Sequence, residues 1–329
     1  MRLFLLAILL LGMVCVGEEP PQLKIRQPNW RPHVLENFLN GNPAHVLFYE
    51  PLAQGERTAK ELLFYPNGRV KEETDLESDK PHGASVSYHL SGAVKQAAHF
   101  QQGVLNGPFK TFYSNGTLET SAIYADGSLH GIYEAFYSNG NKKEEGTYEQ
   151  GKLVGNFLTY HNEGSRSSQI HYEQGLPHGN AMEWYPKEEY EGGLKASRNY
   201  VDGLLHGDGK TPAVMIYGPE LSLLEVQDFR YGKPFGLHLR YSSSGQVGYR
   251  VNYVNGVKDG KEQYFDDDGK VTGGGTWRAG VPVGEHFQYF AGGELQKRAR
   301  YSGKGELLEP ICEYYENGNP KASYILAQE

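Results

Sequence analysis

Glycine recurs on a fixed beat in this chain. Gly68, Gly92, Gly116, Gly140 and Gly164 stand 24 residues apart, and Gly245, Gly269 and Gly293 resume the spacing before Gly318 follows after 25. A period of this length constrains a fold more than any local propensity. It signals a stack of supersecondary units that bury their faces against one another. A second set keeps the same beat: Gly103 and Gly107, Gly127 and Gly131, Gly151 and Gly155, Gly175 and Gly179, Gly256 and Gly260, and Gly280 and Gly284. Each pair frames a G-x-x-x-G that reads as a second turn.

The unit between these marks is a β-hairpin. In PFKTFYSNGTLETSAIYADGSLHG, residues 108–131, Ser114-Asn115-Gly116-Thr117 predicts a two-residue type I′ turn, because Asn and Gly accept positive φ at low cost. The flanking runs have strand length. The 42 Gly, 24 Tyr and 14 Phe against 4 Met suit strands and tight turns. Four residues before the anchor glycine stand rings such as Phe64, Tyr88, Phe112, Phe136 and Tyr160. Eight after it stand Phe100, Tyr124, Tyr148, Tyr172, Trp277 and Tyr301. The hairpin register puts both sets on one face as an aromatic ladder. Small residues two before the second ring (Ala98, Ala122, Gly146, Gly275, Ala299) leave room for a ring against the backbone. The expected fold is all-β: an elongated antiparallel β-meander of tandem ~24-residue hairpin repeats.

The pattern FYSNGxxxxxxxYxxGxxHG resembles the MORN-repeat variant, a hairpin repeat found in tandem in many bacterial proteins, including the family of YwqK-type antitoxins. The resemblance covers about residues 60 to 325, with an interruption between 181 and 240. It implies a curled β-sheet scaffold used for protein–protein contact, or for membrane-lipid contact in some relatives, and brings no catalytic residue with it.

Residues 1–17 read as a secretory signal peptide. Arg2 is the basic start, Leu3 to Val16 the apolar run, and Cys15-Val16-Gly17 sets small residues at −3 and −1 of a cut. The run is short for a membrane helix. A lipid anchor on Cys15 is the alternative, disfavoured by bulky Val14 before the cysteine. Cleavage leaves Cys312 without an intramolecular partner, so packing alone must hold an exported fold. Residues 18–59 read as a linker, with a helical turn at HVLENFL and a capping strand at AHVLFYE. Regular repeats fill 60–180, irregular repeats with insertions 181–240, and regular repeats with a C-terminal cap 241–329. In the irregular stretch the beat lengthens to 29 residues at Gly193. Insertions in such arrays map to loops on one face, often the binding face, and plain repeat decay is the alternative.

Chemical motifs are sparse. GLLHGDGKT at 203–211 has one residue too many for a phosphate loop. His82, His130, His178 and His206 recur before turn glycines, too far apart along a ribbon to share a metal ion, and read as turn residues. FDDDGK at 265–270 lacks calcium-loop spacing. No cofactor, metal or catalytic group is expected. A net charge of −8 without a basic run excludes a nucleic-acid footprint and disfavours membrane lipid. The candidates for contact stand three before the anchor: Tyr65, His89, Tyr113, Tyr137, His161, Phe290 and Tyr315, a stripe expected to face away from the ladder. The expected function is a non-enzymatic exported scaffold binding a protein at the cell envelope. The alternatives are a toxin-neutralising protein and an enzyme using acids such as Glu188 or Glu189 in the irregular stretch.

Overall fold

The computed structural model describes residues 22–321; the expected signal segment and Cys15 lie outside them. It divides into two compact units, one ending at Ser128 and one starting at Leu129. Within each, successive strands pair antiparallel as a meander. The first unit runs from the strand Arg31–Asn37 to the strand Leu118–Ala125. The second begins at Ser128–Phe136 and ends at Cys312–Glu313. The division falls within the stretch 60–180 read as regular repeats.

The linker expected at 18–43 is partly strand. Arg31–Asn37 forms the first strand, so HVLENFL contains no helical turn, and Pro43–Pro51 is the second strand in rather than the edge. Pairing with a neighbouring strand overrides local propensity here.

Strands alternate between nine and eight residues, as in Val104–Phe112 and Leu118–Ala125. The cause is a bulge. Ala98 pairs with Phe109 and Phe100 with Leu105, so His99 alone faces residues 106–108. Gly107 takes φ +116 there, and a Cβ on it would stand 3.2 Å from His99 Cβ. The second glycine of each G-x-x-x-G is therefore a bulge inside the strand, not a turn residue. The opposing side chain satisfies the carbonyl that the bulge releases: His99 Nδ1 meets Asn106 O at 2.7 Å, and Asn252 Nδ2 donates to Asp259 O at 3.0 Å.

The two turns are reversed from expectation. Gly116 N–H donates to Tyr113 O at 2.9 Å and Tyr113 N–H to Thr117 O at 2.9 Å. Only Gly116, at φ +86, is left-handed. This is a three-residue loop, a type I turn with a glycine bulge, and Asn115 Oδ1 accepts from Thr117 N–H at 3.0 Å. The two-residue type I′ turn sits at the other end, where both Asp126 (φ 48) and Gly127 (φ 78) are left-handed. The Asn-Gly pair was a misleading signal because its asparagine serves as an acceptor rather than as a left-handed residue.

The ladder also has a different composition. Tyr124 meets Phe109 at 5.6 Å, Tyr148 meets Tyr133 at 5.8 Å and Tyr172 meets Phe157 at 6.4 Å, all edge to face. The partner of the second ring is seven before the anchor, not four. Phe112 lies an odd number of residues from Phe109 and so points to the opposite face. The small residues do sit beneath rings: a Cβ on Gly146 would stand 2.6 Å from Phe157 Cδ2. Both faces hold buried residues, Leu62, Val86 and Ala97 on one and Ala98 and Ala122 on the other.

Candidate functional site

The predicted contact stripe is occupied with tying repeats together. Tyr65 Oη donates to Tyr88 O and Tyr137 Oη to Tyr160 O, both at 2.8 Å. His89 Nε2 and His161 Nε2 meet Phe112 O and Trp184 O at 3.0 and 3.1 Å. Each bond reaches the next repeat. These four side chains, with Tyr113 and Phe290, are half-buried. Tyr315 is exposed, with Lys321 Nζ 4.8 Å from its ring. Tyr185, absent from the predicted set, extends the series: its Oη donates to Tyr217 O at 3.0 Å. Its distance from Gly193 hid it.

The histidine series joins repeats at the opposite edge. His130 Nδ1 accepts from Gln150 N–H at 3.4 Å and His206 Nδ1 from Tyr231 N–H at 3.2 Å, and Asp259 Oδ2 does the same for Ala279 N–H at 2.9 Å. Cys312 is half-buried, its thiol 3.5 Å from Pro310 O.

Two buried charge clusters are likewise internal. In the first unit Lys60, fully buried, hydrogen-bonds Glu73 and pairs with Asp75 at 3.2 Å. In the second, Glu262 takes the position that holds a ring in other repeats. It accepts from Tyr249 Oη at 2.7 Å, Lys258 Nζ at 2.5 Å, Tyr264 Oη at 3.2 Å and Trp277 Nε1 at 2.8 Å. Burial pushes its carboxyl up, but the bonds from Lys258, Tyr249 and Trp277 outweigh that and hold it below the usual carboxylate range. Burial, then Glu262, pushes the Tyr249 phenol up. With four donors satisfied, Glu262 has little capacity left for substrate.

The open site lies where the beat breaks. A regular edge loop spans five residues, closed by His161 N–H to Ser165 O at 2.8 Å. The corresponding closure at 185–193 is Tyr185 N–H to Gly193 O at 2.9 Å, and the four extra residues carry the helical turn Lys187–Tyr190. Pro186 leads into it at φ −57, and Glu191, left-handed at φ 55, ends it. Tyr190 packs edge-on against Tyr185 at 5.1 Å. Gly193 closes against the next loop, where a Cβ would stand 3.1 Å from Pro219 O. That loop, Gly218 to Ser222, holds Leu221 in the left-handed region at φ 60, an uncommon conformation for leucine.

Between these loops lies a cleft of about 650 Å³, lined by Tyr190, Glu191, Pro219, Glu220, Ser222, Leu224 and Ser243. Tyr190, Pro219 and Leu224 give it apolar surface. Glu191 and Glu220 line it and are exposed, and neither has an ion-pair partner among the described residues. Its lining includes two serines and two carboxylates. The arrangement suits binding of an aliphatic chain with a cationic head.

Residues 105–126 and 129–150 match the family described as MORN repeat variant. No curated protein matches the chain. Among solved structures, TcdB2-TccC3-Cdc42 shows 11% identity over 83% of this chain at a TM-score of 0.16; the alignment spans only 18% of that chain. A porin-like protein from Bacteroides uniformis shows 12% identity over 73% of this chain and 92% of its own, at a TM-score of 0.18. Likeness at this level carries no inference about this chain.

Proposed function

We propose that this repeat scaffold is an exported protein-binding module whose partner docks in the cleft between Tyr190 and Ser243. One observation carries the reading: Tyr190, Pro219 and Leu224 line an open recess together with the exposed Glu191 and Glu220, which have no ion-pair partner among the described residues. Regular repeats close their edges with rungs. Here the added loop leaves a recess of apolar side chains and exposed carboxylates, which favours a lysine or arginine side chain from another protein.

A photo-cross-linker in place of Tyr190, read in the native cell envelope, tests this. A discrete protein adduct at 190 that is absent at exposed control position Leu90 supports it. Equal labelling at both, or none at 190, overturns it. A captured partner that is toxic, with cells rescued by co-expression, favours the neutralising role. Intact mass of the exported chain reads cleavage after Gly17 or a lipid on Cys15.

A further inference from the structure

The type I′ turns of the second unit stack into a ridge. The residue after each turn leans on the glycine of the next. Leu176 Cδ2 lies 3.4 Å from the Cβ position of Gly203, Leu204 Cδ2 3.4 Å from that of Gly232, Lys233 Cβ 3.7 Å from that of Gly256 and Val257 Cβ 3.2 Å from that of Gly280. The turn N–H groups reinforce this: Gly232 donates to Leu205 O at 2.8 Å and Gly280 to Lys258 O at 2.9 Å. Lys152 Cβ likewise lies 3.5 Å from the Cβ position of Gly175, so the turns at Gly151, Gly175, Gly203, Gly232, Gly256 and Gly280 are continuous.

The crest of this ridge carries apolar side chains interrupted by the exposed Asp202 and Lys233. Leu176, Leu204, Tyr231, Val254, Val257 and Val281 are between 37 and 59 % exposed. Together they present roughly 500 Å² to solvent, so two such crests face to face cover about 1,000 Å², the size at which a specific interface begins. Hairpins advance about 10 Å each, and a crest with that period fits a partner of the same period.

The order along the crest selects the arrangement. Tyr231 stands at the centre of the stretch from Leu176 to Val281, with the turns at Gly175 and Gly203 before it and those at Gly256 and Gly280 after it; the turn at Gly151 continues the ridge beyond Leu176 through Lys152. A two-fold axis there sets Leu176 of one copy against Val281 of the other, and Leu204 against Val257. Glu173 pairs in register with Leu176, and Arg278 with Val281. Both are exposed, so the same axis brings opposite charges together at each end. Near the axis Arg230, held over the Phe235 ring at 4.2 Å, and Lys233, its partner in register, are both exposed, and both are like charges facing their own copies.

We propose that the second unit forms an antiparallel isologous dimer with a second copy of this chain, crest to crest along these turns. Sedimentation velocity of the full chain across a concentration series tests it. The expected result is a monomer–dimer equilibrium that L204D/V257D weakens more than about tenfold. E173R and R278E each weaken it several-fold, and E173R/R278E together restores it, which separates pairing from any general loss of fold. K233L tightens it. A monomer at every concentration overturns the proposal, as does a dimer indifferent to E173R and R278E, or a double reversal no better than either single one. These readouts are independent of the cleft, since none of these residues lines it.

Discussion

Two stretches of the second unit are built from one hairpin plan and differ in how their edges close. From Ser128–Phe136 to Leu176–Trp184, every edge loop is short and every repeat is tied to the next through Tyr137, His161 or a turn N–H. From 185 to 241 the sheet register persists, with Ala196 opposite Ile216 and Glu225 opposite Arg240, while the loops grow. One strand, Leu194–Val201, pairs with both Leu204–Leu205 and Val214–Tyr217, and the chain leaves the sheet between them. The strands hold the stack and the edge loops are where extra residues are accommodated. Changes in the strands should therefore unfold the protein, and changes in the long loop should alter what it binds.

The largest expected effect is at Glu262. Removing it as E262A strands Lys258, two tyrosines and Trp277 around a vacated buried site, and should cost about 3–5 kcal/mol in a denaturant titration. The same group gives the pH response its sign. A carboxyl held below its unfolded value stabilises the fold above about pH 4.3 and loses that contribution as pH falls through the lower folded value. The wild type should lose stability in that acid window, and E262A should lose less of it. Next is G146A, which drives a methyl into the Phe157 ring and should cost about 1–3 kcal/mol. Y137F keeps the ring and removes one inter-repeat hydrogen bond, about 0.5–1.5 kcal/mol. Smallest is the exchange of residues 185–193 for the five-residue loop 161–165, expected to stay within about 0.5 kcal/mol of the parent.

The hairpin repeat, its period and the place where it breaks were legible because glycine marks positions that demand positive φ, as at Gly116 and Gly127. Which glycine marks which turn was not. Asn115-Gly116 and Asp126-Gly127 look alike in sequence, and only the hydrogen bond of Asn115 to Thr117 tells them apart. The true ring partner was hidden because its position reads Phe109, Tyr133 and Phe157 in some repeats and Ser85, Glu262 and His286 in others. The stripe at Tyr65, His89, Tyr137 and His161 was visible as a pattern, but its hydrogen bonds to the next repeat depend on register. The cleft needs Tyr190 and Pro219 brought together from loops 29 residues apart, which no local pattern records.

The loop exchange tests the central claim most directly. With residues 185–193 replaced by the loop 161–165 and a cross-linker at Leu224, the chain should melt as the parent does and lose the adduct that the parent gives from the same position. An adduct that persists on the shortened loop, or a collapse of the fold on shortening it, would contradict the division between a structural stack and a binding loop.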